Sequence, residues 1–128
     1  MVKVSVTKQS NYPVGTAILK KKLADFLAKS GIVSDAEVSI AIVGEKKMKD
    51  ISKKYLKDDS LHNVLSFTSS EAKAGFSYPP GKIYLGEIVV CYPEALREAK
   101  KENMLIDDKV YALIEHGAMH LMGVHHKE

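Results

Sequence analysis

The sequence predicts an α/β (α+β) fold, a small mixed sheet of about four strands packed with helices. Three observations carry this reading. Val2, Val4 and Val6 alternate with Lys3, Ser5 and Thr7, and three later stretches are rich in β-forming residues. Between these stretches, apolar residues recur at helical spacing. Glycine and proline punctuate the joins, and the connections allow both hairpins and crossovers, so a mixed sheet is expected rather than an all-parallel one.

Taken in order, MVKVSVT is a half-buried strand. From Val14 to Ser30, residues Ile18, Leu19, Leu23, Phe26 and Leu27 recur at helical spacing, and Gly31 is a natural stop. AEVSIAIVG is a second strand, and EKKMKDISKKYL is a short amphipathic helix with Met48, Ile51 and Tyr55 turned inward. HNVLSFT is a third strand, and residues 69–81 (SSEAKAGFSYPPG) form a loop ending in a Pro-Pro-Gly turn. KIYLGEIVVC is the fourth strand. YPEALREAKKENM places Pro93 near a helix start, and a final helix runs from about Ile106 to Met122.

The 128 residues, 45% hydrophobic and 27% charged, are read as one domain spanning 1–128, long enough to bury a core without staples. A single cysteine, Cys91, excludes an internal disulfide framework and fits a reducing compartment; it follows an apolar run and is expected to be a small buried residue. No cationic segment leading into an apolar stretch opens the chain, and no apolar run reaches membrane-spanning length. A cytoplasmic location with no membrane partner is expected. The net charge of +3 leans mildly towards a polyanionic partner.

Four of the five histidines fall within IEHGAMHLMGVHHKE, at positions 116, 120, 125 and 126. His116 and His120 lie four residues apart, on one face of the last helix. From Val110 to Met122 only Tyr111, Glu115 and these two histidines are conspicuously polar, which predicts a helix buried around its circumference. Buried imidazoles need partners, since an unsatisfied polar group costs roughly 1–3 kcal/mol. One metal ion satisfies both, at about 2.0–2.1 Å from each nitrogen. Gly123 tolerates the left-handed conformation that ends a helix and reverses the chain, so the tail can return His125 or His126 as a third ligand. The spacing H-x3-H-x2-G-x2-H, three ligands and an open position, describes a metzincin-like hydrolytic zinc site at the end of the last helix. Packed core histidines or a loose tail are the bland alternatives.

Metzincin peptidases carry H-E-x-x-H-x-x-G-x-x-H, in which the glutamate is the general base. Here Gly117 takes its place, and Glu115 lies round the helix from His116. Peptide hydrolysis is therefore disfavoured, and no residue of the sequence is named as general base.

HGAMHLMGVHH resembles the H-G-x-x-H-L-x-G-x-D-H signature of the YbeY family of metal-dependent endoribonucleases and ribosomal RNA maturation factors. HNVLSF (62–67) is similar to the family's T-[DN]-V-L-S-F strand, and LGEIVVC (85–91) to its L-G-D-I-x-I-[SC] strand. The resemblance spans most of the chain from about residue 38. It implies a small α/β fold, one Zn2+ ion held by His116, His120 and His126, and a groove for single-stranded RNA. It also implies work on the 3′ end of small-subunit ribosomal RNA, with the small ribosomal subunit and its associated proteins as partners. The chain departs from the family where the signature aspartate is His125, where the strand's threonine is His62, where a common proline is Thr68, and where a Tyr-Arg pair is Tyr55-Leu56. A guanidinium forks onto a phosphate, and leucine cannot.

Glu87 falls on a strand face with Ile83, Leu85, Val89 and Cys91. It reads either as the acceptor for a ligand histidine's outer ring N–H, matching the family's aspartate, or as a strand-end acid reaching water. Lys46, Lys53 and Lys57 share one side of their helix, flanked by Lys47 and Lys54. With Lys53, Lys54 and Lys57 foremost, they form either a track for RNA phosphates or a plain solvated face. Ser66 has no base at recognisable spacing and reads as a substrate contact or packing residue. The function expected is a zinc-dependent single-strand endoribonuclease in ribosomal RNA maturation. The alternatives are a metal-stabilised RNA-binding assembly factor with little nuclease activity, and a hydrolase of another ester or amide.

Overall fold

The computed structural model describes residues 2–32, 35–58, 60–72 and 82–123. Their elements are β1 (Val2–Lys8), α1 (Thr16–Lys29), β2 (Asp35–Val43), α2 (Glu45–Leu56), β3 (Val64–Thr68), α3 (Ser69–Ala72), β4 (Lys82–Cys91), α4 (Tyr92–Glu102) and α5 (Ile106–Leu121). The sheet order is β1-β2-β4-β3. β1, β2 and β4 run parallel, and β3 is antiparallel to β4 at the edge. This is the mixed four-stranded sheet with helices that the sequence predicts. The one added element is α3, a single turn inside the segment read as loop.

Period-two patterning sorts the strands' side chains onto two faces. Val4, Val38, Ile40, Ile42, Ile88 and Val90 pack with Leu19, Leu23 and Leu27 of α1 and with Val110, Ile114 and Ala118 of α5. On the other face Val43, Phe67, Val89 and Cys91 pack with Met48 of α2. Burial pushes the Cys91 thiol up from its ordinary value, so it behaves as a small apolar residue rather than a nucleophile. α1 ends in a Schellman motif, with Gly31 N–H donating to Ala28 O and Ile32 N–H to Leu27 O, each at 3.1 Å. Across the end of the sheet, the Arg97 guanidinium bridges Glu45 at the start of α2 and Glu94 in α4.

Two inward assignments shift. Ile18 is 62% exposed, because the buried stripe of α1 runs through Leu19, Leu23 and Leu27 only. In α2 the buried stripe is Met48 and Ser52, which leaves Tyr55 37% exposed at its margin.

A bulge in β4 resets its faces. Tyr84 pairs with Glu37 but Gly86 with Val38, so Leu85 is the extra residue. Gly86 has φ +142°, and a Cβ there would stand 2.1 Å from the Phe67 carbonyl oxygen of the paired strand. Leu85 consequently joins the α5 face, whereas Glu87, in register with Phe67, lies with Val89 and Cys91 on the α2 face. The strict alternation read from the sequence, with Leu85 and Glu87 on one face, is corrected by this extra residue.

Gly86→Ala combines a disfavoured φ with a backbone collision, and should cost more than about 3 kcal/mol. Urea unfolding checks this. A loss under about 1 kcal/mol would show that β4 does not pass β3 this closely.

Candidate functional site: a histidine-lined groove

The site grows from how α5 lies on the sheet. Val110, Leu113, Ile114, Gly117 and Ala118 are its buried stripe. Gly117 makes the closest approach. A Cβ there would stand 2.9 Å from Ile88 Cγ2 and 3.3 Å from Cγ1, inside ordinary carbon contact distance. The position that carries the base in metzincins therefore faces packed β4, with no room for a side chain. A glutamate at this position would not fit between the helix and the strand.

Burial around the whole circumference, expected from composition, does not occur. Ala112 and His116 are exposed, and Met119 and His120 are half-buried. This stripe overhangs the sheet edge and forms one wall of a groove of 960 Å³. The other wall is Asn63 and the start of edge strand β3, Val64, Leu65 and Ser66. Ser66 pairs with Ile88, which turns its side chain to the α5 face. His116 and His120 thus share one open stripe of α5, as their spacing predicts.

The ends of the groove differ. At one, Asn63 Nδ2 donates to Glu98 Oε1 and Oε2 at 3.1 and 3.2 Å, and Lys109 Nζ lies 3.3 Å from Glu98 and 2.9 Å from Glu102. The Lys109 charge is neutralised by these two carboxylates, which hold its ammonium above its ordinary pKa; the Glu102 hydrogen bond is the larger cause. At the other end, His120 Nε2 lies 3.6 Å from Glu71 Oε1. Glu71 closes a capping box on α3: Thr68 N–H donates to Glu71 Oε1 at 2.8 Å, and Glu71 N–H to Thr68 Oγ1 at 3.4 Å. The Thr68 amide holds the Glu71 carboxyl below its usual range, with the Thr68 hydroxyl and the His120 ring adding to the effect. The sequence reading missed Glu71. Its signal was present as Thr68-x-x-Glu71, the spacing of a helix start.

α5 ends as expected. Met122 N–H donates to Ala118 O at 3.0 Å, Gly123 N–H to His120 O at 2.9 Å, and Gly123 takes φ +77°. His125 and His126 lie outside the described residues, so the third ligand position falls there too. Among the described residues no three His, Cys, Asp or Glu side chains gather closely enough to hold a metal.

Other sequence-assigned residues stand apart from the groove. Glu87 is on the α2 face, with the sheet between it and α5, and the structure does not bring it to His116 or His120. Lys53, Lys54 and Lys57 are exposed at the end of α2, also beyond the groove walls. His62 Nε2 pairs with Asp58 Oδ2 at 3.1 Å and Ser60 Oγ at 3.2 Å where the chain enters β3. One ring nitrogen serves both partners, so this is a loop staple and not a relay to a nucleophile.

Gly117→Ala should cost about 1–3 kcal/mol through overpacking on Ile88. The penalty should shrink in an Ile88→Ala background, measured as a double-mutant cycle by denaturant unfolding. Strict additivity would place the strain elsewhere.

Comparison with known proteins agrees with this architecture. A family profile described as Endoribonuclease YbeY matches residues 5–128. The protein named Endoribonuclease YbeY of Moorella thermoacetica is 30% identical over 125 residues, covering 93% of this chain and 80% of the relative. That of Dehalococcoides mccartyi is 32% identical over 123 residues, covering 90% and 72%. In fold, the chain is similar to a Thermotoga maritima protein solved in solution, with a TM-score of 0.60 at 21% identity over 94% of this chain and 71% of that one. With a profile match running nearly end to end and relatives at this identity along most of its length, the chain belongs to the YbeY endoribonuclease family.

Proposed function

We propose that the protein is a zinc-dependent endoribonuclease that cleaves single-stranded RNA in the cytoplasm and matures the 3′ end of small-subunit ribosomal RNA, in contact with the small ribosomal subunit and its associated proteins. The observation that carries this reading is the pair His116 and His120, one helical turn apart on the open stripe of a groove in a YbeY-family chain.

The donor set suits zinc. Two imidazoles share an accessible helical face, and a left-handed glycine turns the chain just after them. In this proposal His116, His120 and His126 hold one ion. Such an ion supplies a water acidic enough to ionise near neutral pH and a Lewis acid for a phosphate oxygen. The remaining work falls to the chain. The β3 wall offers Ser66 and Asn63 as uncharged hydrogen-bonding groups along a strand's path. Lys109 is already neutralised by two carboxylates and is not the phosphate clamp. Glu71 sets a carboxylate beside His120, where it can hold the imidazole's orientation.

A second reading, an RNA-binding assembly factor with little nuclease activity, is favoured by one observation: the position of the family's arginine is Leu56, 44% exposed and unable to fork onto a phosphate.

Purified protein should contain about one zinc per chain and cleave single-stranded RNA in preference to duplex. Chelation should abolish cleavage and zinc should restore it. His116→Ala should lose bound metal and reduce cleavage by more than about 100-fold, since changes to groups that merely orient a metal ligand already cost about 10–100-fold. Undiminished cleavage by His116→Ala would end the metal reading, and RNA binding with zinc but without turnover would favour the second.

A further inference from the structure

We propose that the exposed end of α2 is a second contact surface for single-stranded RNA, on which Tyr55 stacks a base while Lys53, Lys54 and Lys57 meet the flanking phosphates. The inference rests on the single-stranded RNA reading above, and names where the strand goes once it leaves the groove.

Position is the first argument. The Tyr55 and Phe67 rings are 4.9 Å apart at 45°. Phe67 adjoins Thr68, whose amide is bonded to Glu71, and Glu71 lies 3.6 Å from His120. Tyr55 therefore stands at the histidine end of β3, on the opposite face of an edge strand. A chain passing His120 and crossing that edge arrives at Tyr55.

The second argument is the exposure of an aromatic ring that periodicity assigns to the core. Ser52 takes the buried place one turn earlier and leaves Tyr55 37% exposed, with Phe67 as a rigid backing. Lys54 Nζ lies over the Tyr55 ring, 5.2 Å from its centroid, so the solvent-side π face is covered by one side chain. The Lys54 stem is long and flexible; an incoming base displaces the ammonium, which is then beside a phosphate.

Charge is the third. α2 and its C-cap carry six lysines against Glu45 and Asp50. Glu45 is held by Arg97, and Asp50 lies 3.7 Å from Lys46, both remote from the helix end. Among the described residues, Lys53, Lys54 and Lys57 have no carboxylate partner. An aromatic platform among unpaired cations is how sequence-tolerant single-strand sites are built, each stacked base contributing substantially to affinity.

The protein contains no tryptophan, so Tyr55→Trp introduces a lone reporter with an equivalent stacking surface. This variant is titrated with a single-stranded oligoribonucleotide under chelation, so that no hydrolysis occurs, while anisotropy of a labelled oligonucleotide reports binding separately. Saturable quenching that tracks binding is expected, and an abasic oligomer should bind without it. Tyr55→Ala should weaken binding roughly 5- to 100-fold, with Tyr55→Phe near the parent. Lys53→Glu and Lys57→Glu should reduce the salt dependence of binding. Unchanged emission at saturation, equal quenching by the abasic oligomer, stronger quenching by an acidic peptide, or no oligonucleotide binding overturns the proposal. Quenching without any cleavage when zinc is restored would leave it standing while the nuclease reading fails; cleavage without quenching would do the reverse.

Discussion

The contact on which the structure turns is the seating of α5 on β4 at Gly117 and Ile88. Absence of a side chain at 117 lets the helix descend onto the strand until the Ile88 methyl fills the space a Cβ would need. That depth fixes the rotation of the helix. Val110, Ile114 and Ala118 enter the core, and the adjoining stripe with His116 and His120 is left over the sheet edge. A helix standing further off would close no groove against β3. The same packing leaves no room for a glutamate at the position next to the first histidine.

The β4 bulge is the second constraint, and it works with the first. Inserting Leu85 turns its side chain towards α5 and sends Glu87 to the other face. Gly86 then passes beneath the Phe67 carbonyl at a distance no other residue allows. Together these contacts bring β3 to the edge with Ser66 facing the helix, and the capping box that follows sets Glu71 beside His120. An acidic group thus reaches His120 from α3, after the edge strand, and not from the central strand.

Charge is divided unequally between the two faces that meet at the sheet edge. Among the described residues that line the groove, Lys109 is paired with Glu98 and Glu102, and the others are uncharged apart from the histidines. Lys53, Lys54 and Lys57, which have no carboxylate partner among the described residues, stand exposed at the end of α2, on the far face. Walls of this kind favour positioning by hydrogen bonds and shape, whereas exposed cations act at longer range and are screened by salt.

Much of this was legible from the chain itself. Alternating valines located β1, and the run Lys82–Cys91 located β4 to the residue. Proline at the start of α4 and glycine after α1 and α5 placed helix ends, because these depend on local backbone chemistry that each residue carries with it. The His116–His120 pairing was legible for the same reason: residues four apart on a helix share a face in any fold. Tertiary structure decided what depends on neighbours distant in sequence. Strict period-two reading put Glu87 with Leu85, and the register against β2 separated them. Helical periodicity turned Tyr55 and Ile18 inward, and packing buried the neighbouring stripes of Met48 and Ser52 and of Leu19, Leu23 and Leu27 instead. Apolar composition predicted full burial of α5, yet composition does not say that the strand beside it is the last in the sheet. Whether a stripe meets core or solvent is fixed by how many layers lie over it, and that is a property of packing.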